Sequence, residues 1–111
     1  MAHIKLLIWA CCLALSTSFA YGLGVNWGTQ AAQTLPPSTI VQMLKDNKID
    51  KVKLFDSDHW TVKYFAGTGI EVMLGLPNNQ LEKFANDYDF AKEWVKNNVS
   101  AHLYNGGVDI K

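Results

Sequence analysis

KVKLFDSDHWTVKYFAGTGIEVMLGL, residues 51–76, decides the fold class. Lys51–Asp56 reads as a strand that stops on a carboxylate. Asp58 then offers a side-chain oxygen to the free N–H groups of a helix start. A helix is predicted over His59–Ala66, with Trp60/Tyr64 and Val62/Phe65 as its apolar pairs. Gly67-Thr68-Gly69 ends it, and Ile70–Leu76 reads as the next strand. Strand, helix, strand at this spacing is a parallel βαβ unit, because the helix carries the chain back to the edge where the first strand began.

Working outward, the same alternation recurs. Leu23–Trp27 reads as an earlier strand. A helix is predicted over Ser38–Asn47, opened by Pro36-Pro37, with Ile40, Val41, Met43 and Leu44 sharing one face. Beyond residue 76 come a short helix over Asn79–Asn86 and a longer one over Asp89–Asn98. In the latter, Phe90, Ala91, Trp94 and Val95 face inward. Met43 and Trp94 are expected to be packing residues. Gly107–Ile110 starts a further strand. Eight such units make about 250 residues, the usual size of a TIM barrel. The fold class is therefore α/β, the N-terminal three-and-a-half βα units of a (β/α)8 barrel. A sheet left open at that point exposes an edge and a bare face. The expectation is a truncated N-terminal portion, occupying residues 21–111.

Residues 1–20 differ in kind. His3 and Lys5 precede the apolar run Leu6–Leu15, and small residues at Ser18 and Ala20 fit a cleavage site. This is the pattern of a secretory signal peptide. The run is about half of the ~20 residues a bilayer span needs, so a transmembrane helix is not expected. Cys11 and Cys12, the only cysteines, both lie in it. The remainder has no thiol for a disulfide or a metal. Asn98-Val99-Ser100 is a glycosylation sequon, which fits a secreted chain.

Ten lysines, no arginine and ten acidic residues balance the charge. That excludes the basic footprint a nucleic-acid partner requires. Gly22, Gly24 and Gly28 lack the spacing of a dinucleotide loop. His59 and His102 have no partners at metal-ligand spacing. No cofactor or metal is expected.

In parallel α/β folds, sites form at the C-terminal ends of strands. Those ends read Asn26-Trp27-Gly28, Phe55-Asp56-Ser57-Asp58 and Pro77-Asn78-Asn79. Aromatic rings beside amides and carboxylates suit a sugar: the ring covers the C–H face of a pyranose and the polar groups take its hydroxyls. Each residue also has a plainer role. Trp27 can be core, Asp58 a helix cap, and Asn78-Asn79 a turn.

GVNWGT (24–29), LPPSTIVQMLKDN (35–47), KVKLFDSD (51–58), GTGIEVMLGLPN (67–78) and GGVDIK (106–111) resemble, in order and spacing, the N-terminal part of plant glycoside hydrolase family 17, the β-1,3-glucan endohydrolases. The resemblance implies secretion to the extracellular space or cell wall, with a lipid anchor possible in a full-length parent. It also implies retaining hydrolysis by two glutamates, the acid/base residue following the fourth strand in a Gly-Asn-Glu motif. Glu71, Glu82 and Glu93 match neither glutamate, so no catalytic residue is expected in this chain and the chain alone is expected to be inactive. The resemblance places Asn26, Trp27, Phe55, Asp56 and Asn78 on the glycone side of the cleft, with β-1,3-glucan as the ligand. Trp27 and Phe55 stand where the family more often has tyrosine. Lys48 stands where a glycine usually closes the first helix, leaving Asn47 to take the left-handed cap conformation. The alternative is a non-catalytic glucan-binding or wall-associated barrel protein. A small self-contained α/β interaction domain is a third.

Overall fold

A computed structural model describes residues 1–16 and 22–111. The expected cleavage segment around Ser18 and Ala20 lies outside the described residues. Helix α1 (Ala2–Ser16) covers the apolar run Leu6–Leu15. Among the described residues no helix is long and apolar enough to cross a membrane.

The remaining elements alternate as the sequence predicts. Strand β1 (Gly24–Trp27) is followed by α2 (Pro37–Asp46), β2 (Lys51–Leu54), α3 (His59–Val62), β3 (Glu71–Met73), α4 (Leu81–Asn86), α5 (Tyr88–Asn98) and β4 (Asp109–Ile110). Short 3-10 turns occupy Lys63–Phe65, Asn78–Gln80 and Ser100–His102. The predicted helix 59–66 thus tightens in its second half, a common way for a helix to end. The strands form one parallel sheet in the order β1-β2-β3-β4. Consecutive neighbours in parallel, each joined through helical structure, are the arrangement of successive barrel units.

Side-chain parity sets the two faces of the sheet. Val52, Leu54 and Val72 are buried, and pack with Val41 and Leu44 of α2, Val62 and Phe65, Ile70 and Val108. Each fully buried aliphatic or phenyl group in this layer contributes about 1.5–3 kcal/mol. The other face carries Asn26, Lys51, Lys53, Glu71 and Met73 and is left open. Lys51 and Glu71 stand directly opposite in register and pair at 3.3 Å there.

Two expected packing positions are corrected. Met43 is 48% exposed and Val95 is 41% exposed. At about 100° per residue, Ile40, Val41 and Leu44 fit one side of α2. Met43 falls about 60° beyond Ile40, away from Val41. On α5, Phe90, Ala91 and Trp94 are half-buried and Val95 sits at the rim of their arc. Trp94 packs edge-on against Phe84 of α4 at 5.7 Å.

The end of α2 supplies another correction. Asn47 keeps φ −95°, and Lys48 takes the left-handed conformation at φ 56°. Lys48 N–H donates to the Lys45 carbonyl at 3.0 Å and Ile49 N–H to the Leu44 carbonyl at 2.8 Å. This is a Schellman closure, in which the residue after the cap must be left-handed. Position 48, not 47, therefore carries the strain of a side chain in that region. Lys48→Gly is expected to stabilise the chain by about 1 kcal/mol, read as a raised midpoint in thermal or urea unfolding. No gain would mean that the lysine conformation is unstrained.

Candidate functional site

The C-terminal ends of β1, β2 and β3 form one edge of the sheet. Their loops, residues 28–30, 55–56 and 77–79, enclose an open pocket of about 660 Å³. Three of the predicted site residues line it: Phe55, Asp56 and Asn78. Thr29, Gln30 and Asn79 join them.

Asp56 is the knot of the pocket. Its Oδ2 accepts from Thr29 Oγ1 at 2.7 Å, tying the loop after β1 to the loop after β2. Its Oδ1 accepts from the Asp58 N–H at 3.1 Å. Its backbone carbonyl accepts from the Gly75 N–H at 3.1 Å, which brings in the chain after β3. One half-buried residue thus fixes three rim segments. Asp58 is a helix cap: its Oδ2 accepts from Thr61 N and Thr61 Oγ1, both at 2.9 Å. Its carboxylate is directed into α3 rather than the pocket.

Phe55 stands 54% exposed at the end of β2, with the Lys53 ammonium 5.1 Å from its ring centroid. An exposed phenyl on a polar rim offers a flat apolar face. Asn78 is exposed and opens the 3-10 turn after Pro77.

Trp27 and Asn26 do not reach this pocket. Trp27 pairs with Leu54, so parity turns its indole to the helix-covered face. There it meets Phe65 at 6.2 Å between centroids. It lines a separate cavity of about 470 Å³ with Ile40, Trp60 and Thr61. The register thus sets Trp27, expected on the glycone side, apart from Phe55 and behind the rim pocket. Asn26 pairs with Lys53 and faces the open side of the sheet.

Glycines divide in the same way. A Cβ on Gly28 would meet nothing within 4 Å, so no close approach demands glycine there. A Cβ on Gly75 would lie 2.5–2.8 Å from the backbone of Phe55. Gly75 lets the β3 loop approach the β2 loop, and the sequence reading missed it, as it missed Thr29. Thr29 stands directly after Gly28 at the first strand end and Gly75 just before the Pro77-Asn78 pair.

Asn98 is half-buried. Its Oδ1 accepts from Ser57 Oγ at 3.0 Å and its Nδ2 donates to the Trp94 carbonyl at 2.9 Å. The two histidines, which have no partners at metal-ligand spacing in the sequence, meet each other in the fold: His59 Nδ1 lies 3.3 Å from His102 Nε2. Among the described residues no cluster of three metal-binding side chains exists.

The family model for glycosyl hydrolases family 17 matches residues 23–109. Glucan endo-1,3-beta-glucosidase 8 of Arabidopsis thaliana is 58% identical over 89 residues, 80% of this chain and 18% of that protein. Glucan endo-1,3-beta-glucosidase 5 of the same plant is 50% identical over 81% of the chain and 19% of its own length. The chain thus spans about a fifth of these relatives. Two solved structures superpose on it. One, from a study of two plant beta-glucan endohydrolases with distinct substrate specificities, gives a TM-score of 0.74 at 32% identity, covering 80% of this chain and 28% of that one. The other, a beta-1,3-glucanase and allergen of Cryptomeria japonica pollen, gives 0.76 at 30% identity, covering 81% and 28%.

Proposed function

Because the chain belongs to glycosyl hydrolases family 17, we propose that it is the N-terminal part of a secreted β-1,3-glucan endohydrolase and supplies one wall of its cleft. The observation that carries this reading is the rim pocket of Phe55, Asp56 and Asn78, knit by Thr29 and Gly75. A glucosyl unit would lay its C–H face on Phe55 while the amides of Asn78 and Gln30 take its hydroxyls. Asp56 acts by holding the loops, since both of its carboxylate oxygens are already engaged. Trp27 supports the wall from behind.

Retaining hydrolysis needs two carboxyl groups about 5–5.5 Å apart, one protonating the leaving oxygen and one attacking the anomeric carbon. The glutamates of this chain serve elsewhere. Glu71 pairs with Lys51, Glu82 lies exposed on α4, and Glu93 accepts from Asn97 on α5. Both catalytic glutamates are proposed to come from chain beyond Lys111. In this reading α1 is the secretory leader and Asn98 a glycan acceptor. Its Nδ2 has a second hydrogen to exchange for sugar while the first holds Trp94.

The test is the release of reducing sugar from laminarin. The chain alone should release none. The full-length gene product, carrying a Gly-Asn-Glu motif after β4 and a second, later glutamate as nucleophile, should release it, and should stop when either glutamate becomes glutamine. Turnover by the chain alone would overturn the assignment. An extended product that binds laminarin without cleaving it would point to the non-catalytic alternative.

A further inference from the structure

His59 and His102 are 43 residues apart in sequence and in contact in the fold. His59 is the first residue of α3, and His102 the last of the 3-10 turn that precedes β4. Their ring centroids are 4.7 Å apart. His59 is exposed, whereas His102 is 2% exposed. One of the facing nitrogens must carry the hydrogen and the other the lone pair. With both rings charged, two N–H groups and two positive charges would confront each other.

The position of His102 sets the entry to β4. Its carbonyl accepts from the Val108 N–H at 3.0 Å. Gly107 runs so close that a Cβ there would overlap the same carbonyl oxygen. Gly107 in turn accepts from the Gly67 N–H at 3.0 Å. A second tie joins the same two segments, the Ser57–Asn98 bond at 3.0 Å, and it contains no titrating group.

We propose that the His59–His102 contact is a proton-sensitive latch: it fixes the segment leading into β4 when at most one ring is charged and releases it when both are. This inference rests on contacts within the chain and is independent of the glucanase reading. Burial first, and then the charge of His59, hold His102 below the ordinary histidine value. Several charged groups on the neighbouring elements are engaged elsewhere, while Asp89 and Lys92 of α5 stand exposed. Asp58 bonds Thr61, Lys63 lies over Trp60, Glu93 holds Asn97 and Lys96, and Asp109 pairs with Lys111.

Unfolded, His102 takes up its proton near 6.5, and folded it does so only at lower pH. Between those two values the unfolded chain holds more protons, so stability rises with pH. The latch contribution is complete above 6.5 and is lost as pH falls through the lowered folded value.

The test is amide hydrogen exchange of the full chain from pH 7.5 down to 4.5, corrected for intrinsic rates. Protection at Gly107 and Val108 should fall by about tenfold per pH unit where the second proton is taken up. Protection at Ile49, in the α2 closure, should hold. In His59→Gln the carboxamide can offer either N–H or carbonyl to either state of His102, so the acid loss should shrink to the share that burial of His102 alone causes. The exposure of position 59 makes this variant safe for folding. His102→Gln, where it folds, should flatten the loss. Unchanged protection at Gly107 and Val108 in wild type, or the same acid loss in wild type and His59→Gln, would overturn the proposal.

Discussion

Gly75→Ala is expected to destabilise the chain by about 3 kcal/mol, near the upper end for overpacking. The added Cβ would lie 2.5 Å from the Phe55 carbonyl carbon and 2.8 Å from its Cα. The crowding atoms are backbone, not the tip of a flexible side chain, so the β2 and β3 loops must separate. That separation also stretches the bond between Gly75 N–H and the Asp56 carbonyl. For a domain of this size the loss corresponds to roughly 12–24 °C in melting temperature. Thermal unfolding followed by circular dichroism reads it directly. Gly28→Ala is the control, because its Cβ meets open space, and its melting temperature should change little. Equal, small effects at both positions would show that the loops do not meet as described.

Asp56→Ala should cost about 2 kcal/mol, the scale for removing hydrogen bonds to a charged group. It orphans Thr29 Oγ1 and the Asp58 N–H together and unties the first loop from the second. If glucan binding depends on the joined wall, laminari-oligosaccharide affinity should fall by about tenfold, the equivalent of ~1.4 kcal/mol. Asp56→Asn should recover part of both, because the two donors bond different carboxylate oxygens and asparagine keeps an acceptor at only one of those two positions. Asp56→Ala with unchanged stability and affinity would remove Asp56 from the account.

The sheet and its helices were legible because each unit carries its own local signals. Pro37 opens α2, Asp58 caps α3, and Gly67 takes φ 67° just beyond the 3-10 turn that continues α3. Alternation of buried and exposed positions along 51–54 marks the strand. What the sequence could not show is what depends on pairing. Whether Trp27 faces the pocket or the helices turns on its standing opposite Leu54. The sequence identifies the strand end but not the parity. The Asp56–Thr29 tie spans 27 residues and the histidine contact 43. Neither leaves a periodic trace. Lys48 in the left-handed conformation escaped because asparagine tolerates that region better than lysine. The Schellman register of α2, set by the Leu44–Ile49 bond, overrides that preference.

β-1,3-Glucan is proposed to bind at the rim pocket of Phe55, Asp56 and Asn78. The most direct measurement is a titration of the ¹⁵N-labelled chain with a β-1,3-linked glucose hexamer, followed by amide chemical shifts. Saturable shifts are expected at residues 28–30, 55–56 and 78–79, weakened in Asp56→Ala, with the Trp27 indole and the open face around Lys51 and Met73 undisturbed. Saturable shifts at the Trp27–Trp60 cavity or on the open face, with the rim pocket silent, would contradict it.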